Sequence, residues 1–227
     1  MDTPVSYDLS DGVATITMDD GKVNVISTTM ESALNRALDR AEADGAAVVV
    51  TGRPGRFSAG FDLGTLSAGG GESAAMLSGG WALAARLVAF PTPVVAAVTG
   101  HAIGLGALLI CACDYRIGAA GSYKITSNEV TLGIPLPLSA FALLRDRLHP
   151  SALSRAAVLA EVFSPDNAVE TGWLDRVVPA DELLSAAQEQ ARSLGALHRA
   201  AYYATKLLAR QSTLDALSTG PAVVSLG

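Results

Sequence analysis

The segment Pro93-Val-Val-Ala-Ala-Val-Thr-Gly-His-Ala-Ile-Gly-Leu-Gly-Ala-Leu-Leu-Ile-Cys-Ala-Cys-Asp-Tyr-Arg-Ile117 constrains the fold more than any other. An apolar run of strand character stops at Gly100, a loop carries Gly104 and Gly106, and a helix of small and aliphatic residues follows. A strand, a glycine-rich turn and a helix N-terminus present free backbone N–H groups to whatever binds in front of them. No lysine follows the glycines, so this is not a phosphate loop of the Gly-x-x-x-x-Gly-Lys kind. The glycines instead let the backbone approach a polarised ligand oxygen. A second turn, Arg56-Phe-Ser-Ala-Gly-Phe-Asp-Leu63, also follows a strand. Two backbone donors from two separate loops are what an oxyanion hole requires.

Around these turns the chain alternates strands and helices over residues 1–120 and is then mostly helical. Val5–Leu9 and Val13–Met18 alternate apolar and polar residues about Asp11-Gly12, which predicts a hairpin. Thr28-Thr-Met-Glu31 has the form of a capping box, and Met30, Leu34, Ala37, Leu38 and Ala41 repeat at helical spacing. Ala46–Thr51 is a short apolar strand. Ala68–Gly71 reads as a mobile loop before a helix over Ser73–Ala89, which Pro91 and Pro93 end. Asp114–Ile117 and Tyr123–Ile125 suit two more strands. Ser164-Pro165 opens a helix that Gly172 closes, and Asp181–Leu194 and His198–Arg210 are amphipathic. No repeat or polar linker divides the chain. The expected architecture is one α/β domain: a core over residues 1–135 that carries the site, and a helical C-terminal region over residues 136–227.

Composition excludes several classes of function. Half of the 227 residues are apolar and 17% are charged, enough for a substantial core. A net charge of −6 and a pI near 5.0 leave no basic footprint for nucleic acid. Cys111 and Cys113 stand one residue apart in an apolar run, a spacing poor for a disulfide; they suit two small buried side chains in a reducing, cytoplasmic setting. Met1-Asp-Thr-Pro-Val-Ser is acidic and has no apolar core, so no signal peptide is expected. Residues 94–113 approach the ~20 apolar residues of a membrane span, but Thr99, Gly100, His101, Gly104 and Gly106 interrupt them. No His, Cys, Asp and Glu constellation has metal-ligand spacing, so no metal is expected. A serine nucleophile elbow, Gly-x-Ser-x-Gly, is also absent from the sequence.

Three motifs stand in order: Phe57-Ser-Ala-Gly-Phe-Asp-Leu63, Gly100-His-Ala-Ile-Gly-Leu-Gly106 and Ser127-Asn-Glu-Val-Thr-Leu-Gly-Ile-Pro135. With Gly21-Lys-Val-Asn-Val-Ile26 and Cys113-Asp-Tyr-Arg-Ile117, their order and spacing resemble the crotonase (enoyl-CoA hydratase/isomerase) superfamily from about residue 5 to residue 210. The resemblance implies a crotonase-like ββα spiral core with a helical C-terminal trimerisation region, in a homotrimer or a dimer of trimers. It also implies an acyl-CoA thioester as substrate, with coenzyme A part of that substrate and no separate cofactor. Carried over by position, the thioester oxygen would accept hydrogen bonds from the backbone N–H groups of Phe61 and Leu105. Each such donor is worth on the order of 3 kcal/mol where negative charge develops on oxygen. Glu129, just ahead of Leu132-Gly-Ile-Pro135, takes the place of the family's catalytic glutamate. Position matching assigns Lys22, Val23, Val25, Ala59 and Asp62 to the coenzyme A moiety. Lys22 suits either a phosphate contact or a solvated turn, and Asp62 suits either the ligand or a cap on the next helix. Lys206 is a further candidate for a CoA phosphate across a subunit boundary. His101 and Leu108 are expected to line the acyl pocket, and His149 and His198 suit surface or capping positions.

One departure from the pattern bears on the reaction. Hydratases of this superfamily carry a second glutamate two residues beyond the last glycine of the loop, and here Leu108 occupies that position. Two carboxylates hold and activate a water, whereas moving a double bond needs one proton taken from C2 and one returned to C4. A single carboxylate can do both. The chain is therefore most similar in pattern to Δ3,Δ2-enoyl-CoA isomerases. The alternatives are a hydratase working with one glutamate and a non-catalytic acyl-CoA binder on the same scaffold.

Overall fold

The expected hairpin is present. Strands β1 (Val5–Ser10) and β2 (Val13–Met18) pair antiparallel from Val5↔Met18 to Ser10↔Val13, and Asp11 and Gly12 turn at φ 50° and 74°. The computed structural model describes residues 3–219; Met1, Asp2 and the C-terminal stretch 220–227 lie outside the described residues. The chain continues through β3 (Val25–Ile26), α1 (Thr28–Ala43), β4 (Ala47–Thr51), β5 (Gly55–Ser58), β6 (Gly60–Phe61), α2 (Leu63–Ala68), α3 (Gly70–Val88), β7 (Val94–Val98), β8 (Gly100–Ile103), α4 (Leu105–Ala112), β9 (Tyr115–Ala119) and β10 (Ile125–Thr126). After a short 3-10 turn at Glu129–Leu132 come α5 (Leu138–Arg147), α6 (Pro150–Ala157), α7 (Pro165–Thr171), β11 (Arg176–Val178), α8 (Leu183–Gly195), α9 (Arg199–Ala209) and α10 (Gln211–Ser218).

The large sheet runs β1-β2-β4-β7-β9-β11 and is parallel from β2 onward. Its central strands β4 and β7 are buried along their whole length, which is why they read as unbroken Val/Ala runs. After each of β4, β7 and β9 the chain lays a second, short strand into a separate parallel sheet, ordered β10-β8-β5. This repeated passage is the spiral.

Several expectations need correction. Gly100-His-Ala-Ile103 is strand β8 rather than loop, and Gly106 lies inside α4 rather than before it. Ala68–Gly71 is no loop: α2 and α3 meet at a single break, Gly69, with φ 66° and ψ −157°. Helix α1 is capped by Ser27, whose side chain accepts from the Met30 N–H, so Glu31 is not a capping-box partner. β11 adds a strand within the region expected to be helical.

Helix α9 is fastened to the core by charge. Lys206, only 6% exposed, donates from Nζ to Asp114 Oδ2 at 2.8 Å and to the Phe90 and Leu87 carbonyls at 3.1 and 3.3 Å. The same carboxylate oxygen accepts from the Tyr202 hydroxyl at 2.8 Å. Three acceptors on one ammonium leave no free donor, so Lys206 is not available to a CoA phosphate. Lys206→Met is expected to lower unfolding free energy by about 3 kcal/mol, because the half-buried Asp114 loses its ammonium and keeps only the Arg210 guanidinium at 3.7 Å. Urea denaturation of the two proteins measures this.

Candidate active site

The three short strands β5, β8 and β10 end on the same side and hand the chain directly to the three motifs. Beyond β5 come Ala59 and Gly60-Phe61, beyond β8 come Gly104-Leu105, and beyond β10 comes Ser127-Asn-Glu129. In parallel sheets this C-terminal edge is where ligands bind, since the loops that leave it are free to vary.

Gly104 (φ 53°, ψ −127°) is the N-cap of α4, and its N–H donates to the Thr126 carbonyl at 2.9 Å. Leu105 is therefore the first helical residue, whose N–H has no partner inside its own helix. Gly60 sits directly against this turn. At φ 80°, a Cβ added to it would lie 2.7 Å from the Ile103 carbonyl oxygen and 3.0 Å from the Leu105 nitrogen. Only glycine brings the two loops this close. Phe61 belongs to β6, which pairs in parallel with β3 through Gly60↔Val25 and Phe61↔Ile26.

Glu129 opens the 3-10 turn and is half-buried. One carboxylate oxygen, Oε2, accepts from the Ser127 hydroxyl at 2.5 Å. The other, Oε1, lies 3.5 Å from where a Cβ on Gly104 would be, so it faces the same turn that offers the Leu105 N–H. A carboxylate and the N–H that opens α4 thus lie against the same turn, the two kinds of group that enolisation next to a carbonyl needs.

Other expected residues fall in varied places. Ala59 donates its N–H to the Val23 carbonyl at 3.0 Å, which brings Val23, Val25 and Ala59 together along the β3–β6 edge, with Lys22 exposed at its start. Asp62 caps α2, its Oδ1 accepting from the Thr65 N–H at 2.8 Å. Leu108 has no exposed surface and is part of the packed core beneath the turn. His101 accepts at Nδ1 from the Lys124 N–H at 3.1 Å, and burial together with Arg56 and Lys124 holds its pKa below the usual histidine range. His198 caps α9 through Nδ1, as its position predicted. Among the described residues no group of His, Cys, Asp and Glu could hold a metal ion.

Four positioning residues carry no signal of their own in the sequence. Asn24 is buried at φ 55° and donates from Nδ2 to the carbonyls of Met18, Phe57 and Arg56 at 3.0, 3.2 and 3.3 Å, which ties the β3 segment to β5. Asp20 accepts from the N–H groups of Lys22, Asn24 and Val25 at 2.7, 2.9 and 3.1 Å. Burial pushes its carboxyl up, but those N–H groups prevail and hold it below the usual carboxylate range. Ser58 accepts from the Gly60 N–H at 3.1 Å and donates to the Asn24 carbonyl at 2.7 Å. Ser127 aims Glu129. Asn24, Ser58 and Ser127 lie within quoted motifs, yet only the fold shows what their side chains reach.

The family pattern described as enoyl-CoA hydratase/isomerase matches residues 8–223. This chain belongs to the enoyl-CoA hydratase/isomerase family. It is 32% identical over 223 residues, 95% of its length and 73% of the relative's, to human mitochondrial enoyl-CoA delta isomerase 1. Among solved structures of this crotonase fold, an enoyl-CoA hydratase of Mycobacterium ulcerans superposes with a TM-score of 0.92 at 44% identity, covering 96% of both chains. A Mycobacterium tuberculosis protein, described in one structure as an enoyl-CoA isomerase and in another as a probable enoyl-CoA hydratase, superposes equally well, at 0.92 and 42%, the first covering 97% of this chain and 96% of the other. Hydratase and isomerase thus both occur among close neighbours of the crotonase fold, so the choice between them rests on the site itself. No described helix is long and apolar enough to cross a membrane.

Proposed function

We propose that the chain is an enoyl-CoA isomerase that converts a 3-enoyl-CoA into a 2-enoyl-CoA. The thioester oxygen sits between the N–H groups of Phe61 and Leu105. Glu129 removes a proton from C2, the C2–H electrons form the enolate, and its negative charge rests on the oxygen held by the two amides. The same carboxyl then returns the proton to C4 as the double bond shifts to C2–C3. Atoms and electrons balance without water or a cofactor. One observation carries the choice over hydration: Leu108 fills the position of the second carboxylate with a wholly buried aliphatic side chain. Removing one of two water-holding groups costs a hydratase more than an isomerase, because only the hydratase must orient a nucleophile.

Val158, Leu159 and Val162 after α6, and Val130, Leu132 and Leu138 around the 3-10 turn, are exposed apolar side chains, Leu159 at 69%. Apolar surface on this scale suits burial against further copies of the chain, which supports self-assembly, with the trimer or dimer of trimers taken from the family resemblance. Lys22, Val23, Val25, Ala59 and Asp62 are assigned to the coenzyme A moiety by position matching to the family, and the meeting of Val23, Val25 and Ala59 along the β3–β6 edge supports this for those three.

Pure protein mixed with a 3-enoyl-CoA is expected to generate ultraviolet absorbance of conjugated 2-enoyl thioester in proportion to enzyme. Water addition to the same 2-enoyl-CoA is expected to be at least about tenfold slower, given the missing second carboxylate. Hydration that outpaces isomerisation would overturn the assignment.

A further inference from the structure

Glu31 has no part in the chemistry above, and its surroundings are unusual for a carboxylate. It lies in the first turn of α1, is only 5% exposed, and its Oε1 has no hydrogen-bond partner among the described residues. The side chain is seated against α3. A Cβ on Gly79 would lie 2.0 Å from its Oε2 and 2.8 Å from its Cδ, so the bare glycine is what admits it. The adjacent Gly80 opens another side of the same turn. A Cβ there would lie 2.4 Å from Phe61 Cε1 and 2.8 Å from Leu105 Cδ2. This pair of glycines therefore places Glu31 and the side chains of both proposed oxyanion residues against one turn of α3. Trp81, the next residue, meets the Phe61 ring edge-on at 6.3 Å and 67°.

Among the described residues no cation balances Glu31. Of the elements packed on α1, β2 and β3 carry no charged side chain, and β1 offers only Asp8 and Tyr7, the latter hydrogen-bonded to Asp44. On α3, Glu72 is exposed in the first turn, and Arg86 is held further along the helix by Asn35, Asp39 and Glu42. On α1 itself, Arg36 is exposed and Arg40 stacks over Tyr7. Burial without a partner favours the uncharged acid and pushes its pKa up to about 7. An anion in this seam would have to draw in water, and α3 cannot move without moving Gly80.

We propose that Glu31 is a positioning residue and a proton switch: as the neutral acid it lets α1 and α3 close so that Phe61 and Leu105 are seated, and its ionisation loosens both. This rests on the oxyanion reading above. The test compares the full chain with Glu31→Gln, which keeps the shape of the neutral acid and cannot ionise. The first readout is the infrared carbonyl stretch of a bound saturated acyl-CoA, which cannot isomerise; seated donors shift it to lower frequency. In the wild type this shift is expected to fade between pH 6 and pH 8, and in the variant to persist. The second is kcat on a 3-enoyl-CoA, expected to fall about tenfold over the same range in the wild type and to stay level in the variant, with KM little changed. A carbonyl shift that does not change with pH in the wild type, or that fades equally in the variant, overturns the proposal and leaves the isomerase reading intact. A shift that titrates as expected in a protein with no isomerase activity supports the switch and refutes that reading.

Discussion

Glu129→Gln is expected to lower isomerase turnover by about 10³-fold, within the range that a positioned acid–base group contributes. Affinity for a saturated acyl-CoA is expected to change less than threefold. The amide preserves size, and its oxygen can still accept from the Ser127 hydroxyl now 2.5 Å from Glu129. What it loses is the ability to take and return a proton. Steady-state kinetics paired with calorimetric titration separates the two effects. Turnover that stays within tenfold of wild type would mean that another group carries the proton, and the single-carboxylate mechanism would fall.

The second large effect is expected at Gly60. In Gly60→Ala the new methyl carbon would stand 3.0 Å from the Leu105 nitrogen and 2.7 Å from the Ile103 carbonyl oxygen. The β5 and β8 turns must then separate or the methyl must occupy the space reserved for the thioester oxygen. Either outcome removes a donor from the developing charge, so kcat is expected to fall by about 10²–10³. The residue also sits at φ 80°, a conformation that costs a side chain about 1–3 kcal/mol. The variant should therefore melt earlier as well as turn over slowly. A folded Gly60→Ala protein with normal kcat would remove Phe61 and Leu105 from the reaction.

Local chemistry makes much of this fold legible in the sequence. Asp11-Gly12 sets a two-residue turn whatever surrounds it, and Ser164-Pro165 and Gly172 bound α7 by their own backbone preferences. Strands β5, β8 and β10 lack that independence. They are two to four residues long, and they exist because parallel neighbours from other passages of the spiral pair with them. β11 is hidden for the same reason, being three residues paired with β9. Glu31 misleads because Thr28 and Glu31 have the right spacing for a capping box, while the cap falls one residue earlier, at Ser27. That shift turns the carboxylate from the helix end to the α3 seam. The three motifs are readable as a pattern, but the meeting of Gly60 and Leu105 is not, because the two lie 45 residues apart and approach only when β5 and β8 align.

The pairing of Asp114 with Lys206 also has a history in time. The two residues are 92 positions apart, and the carboxylate is made first. At roughly 5–20 residues added per second, Asp114 waits about 5–20 s on the ribosome before its ammonium exists. Until then the end of α4 cannot be sealed without burying a lone charge, so the core around it must stay hydrated while the last helices are still being synthesised. Translation, rather than collapse, sets the earliest moment at which this molecule can close.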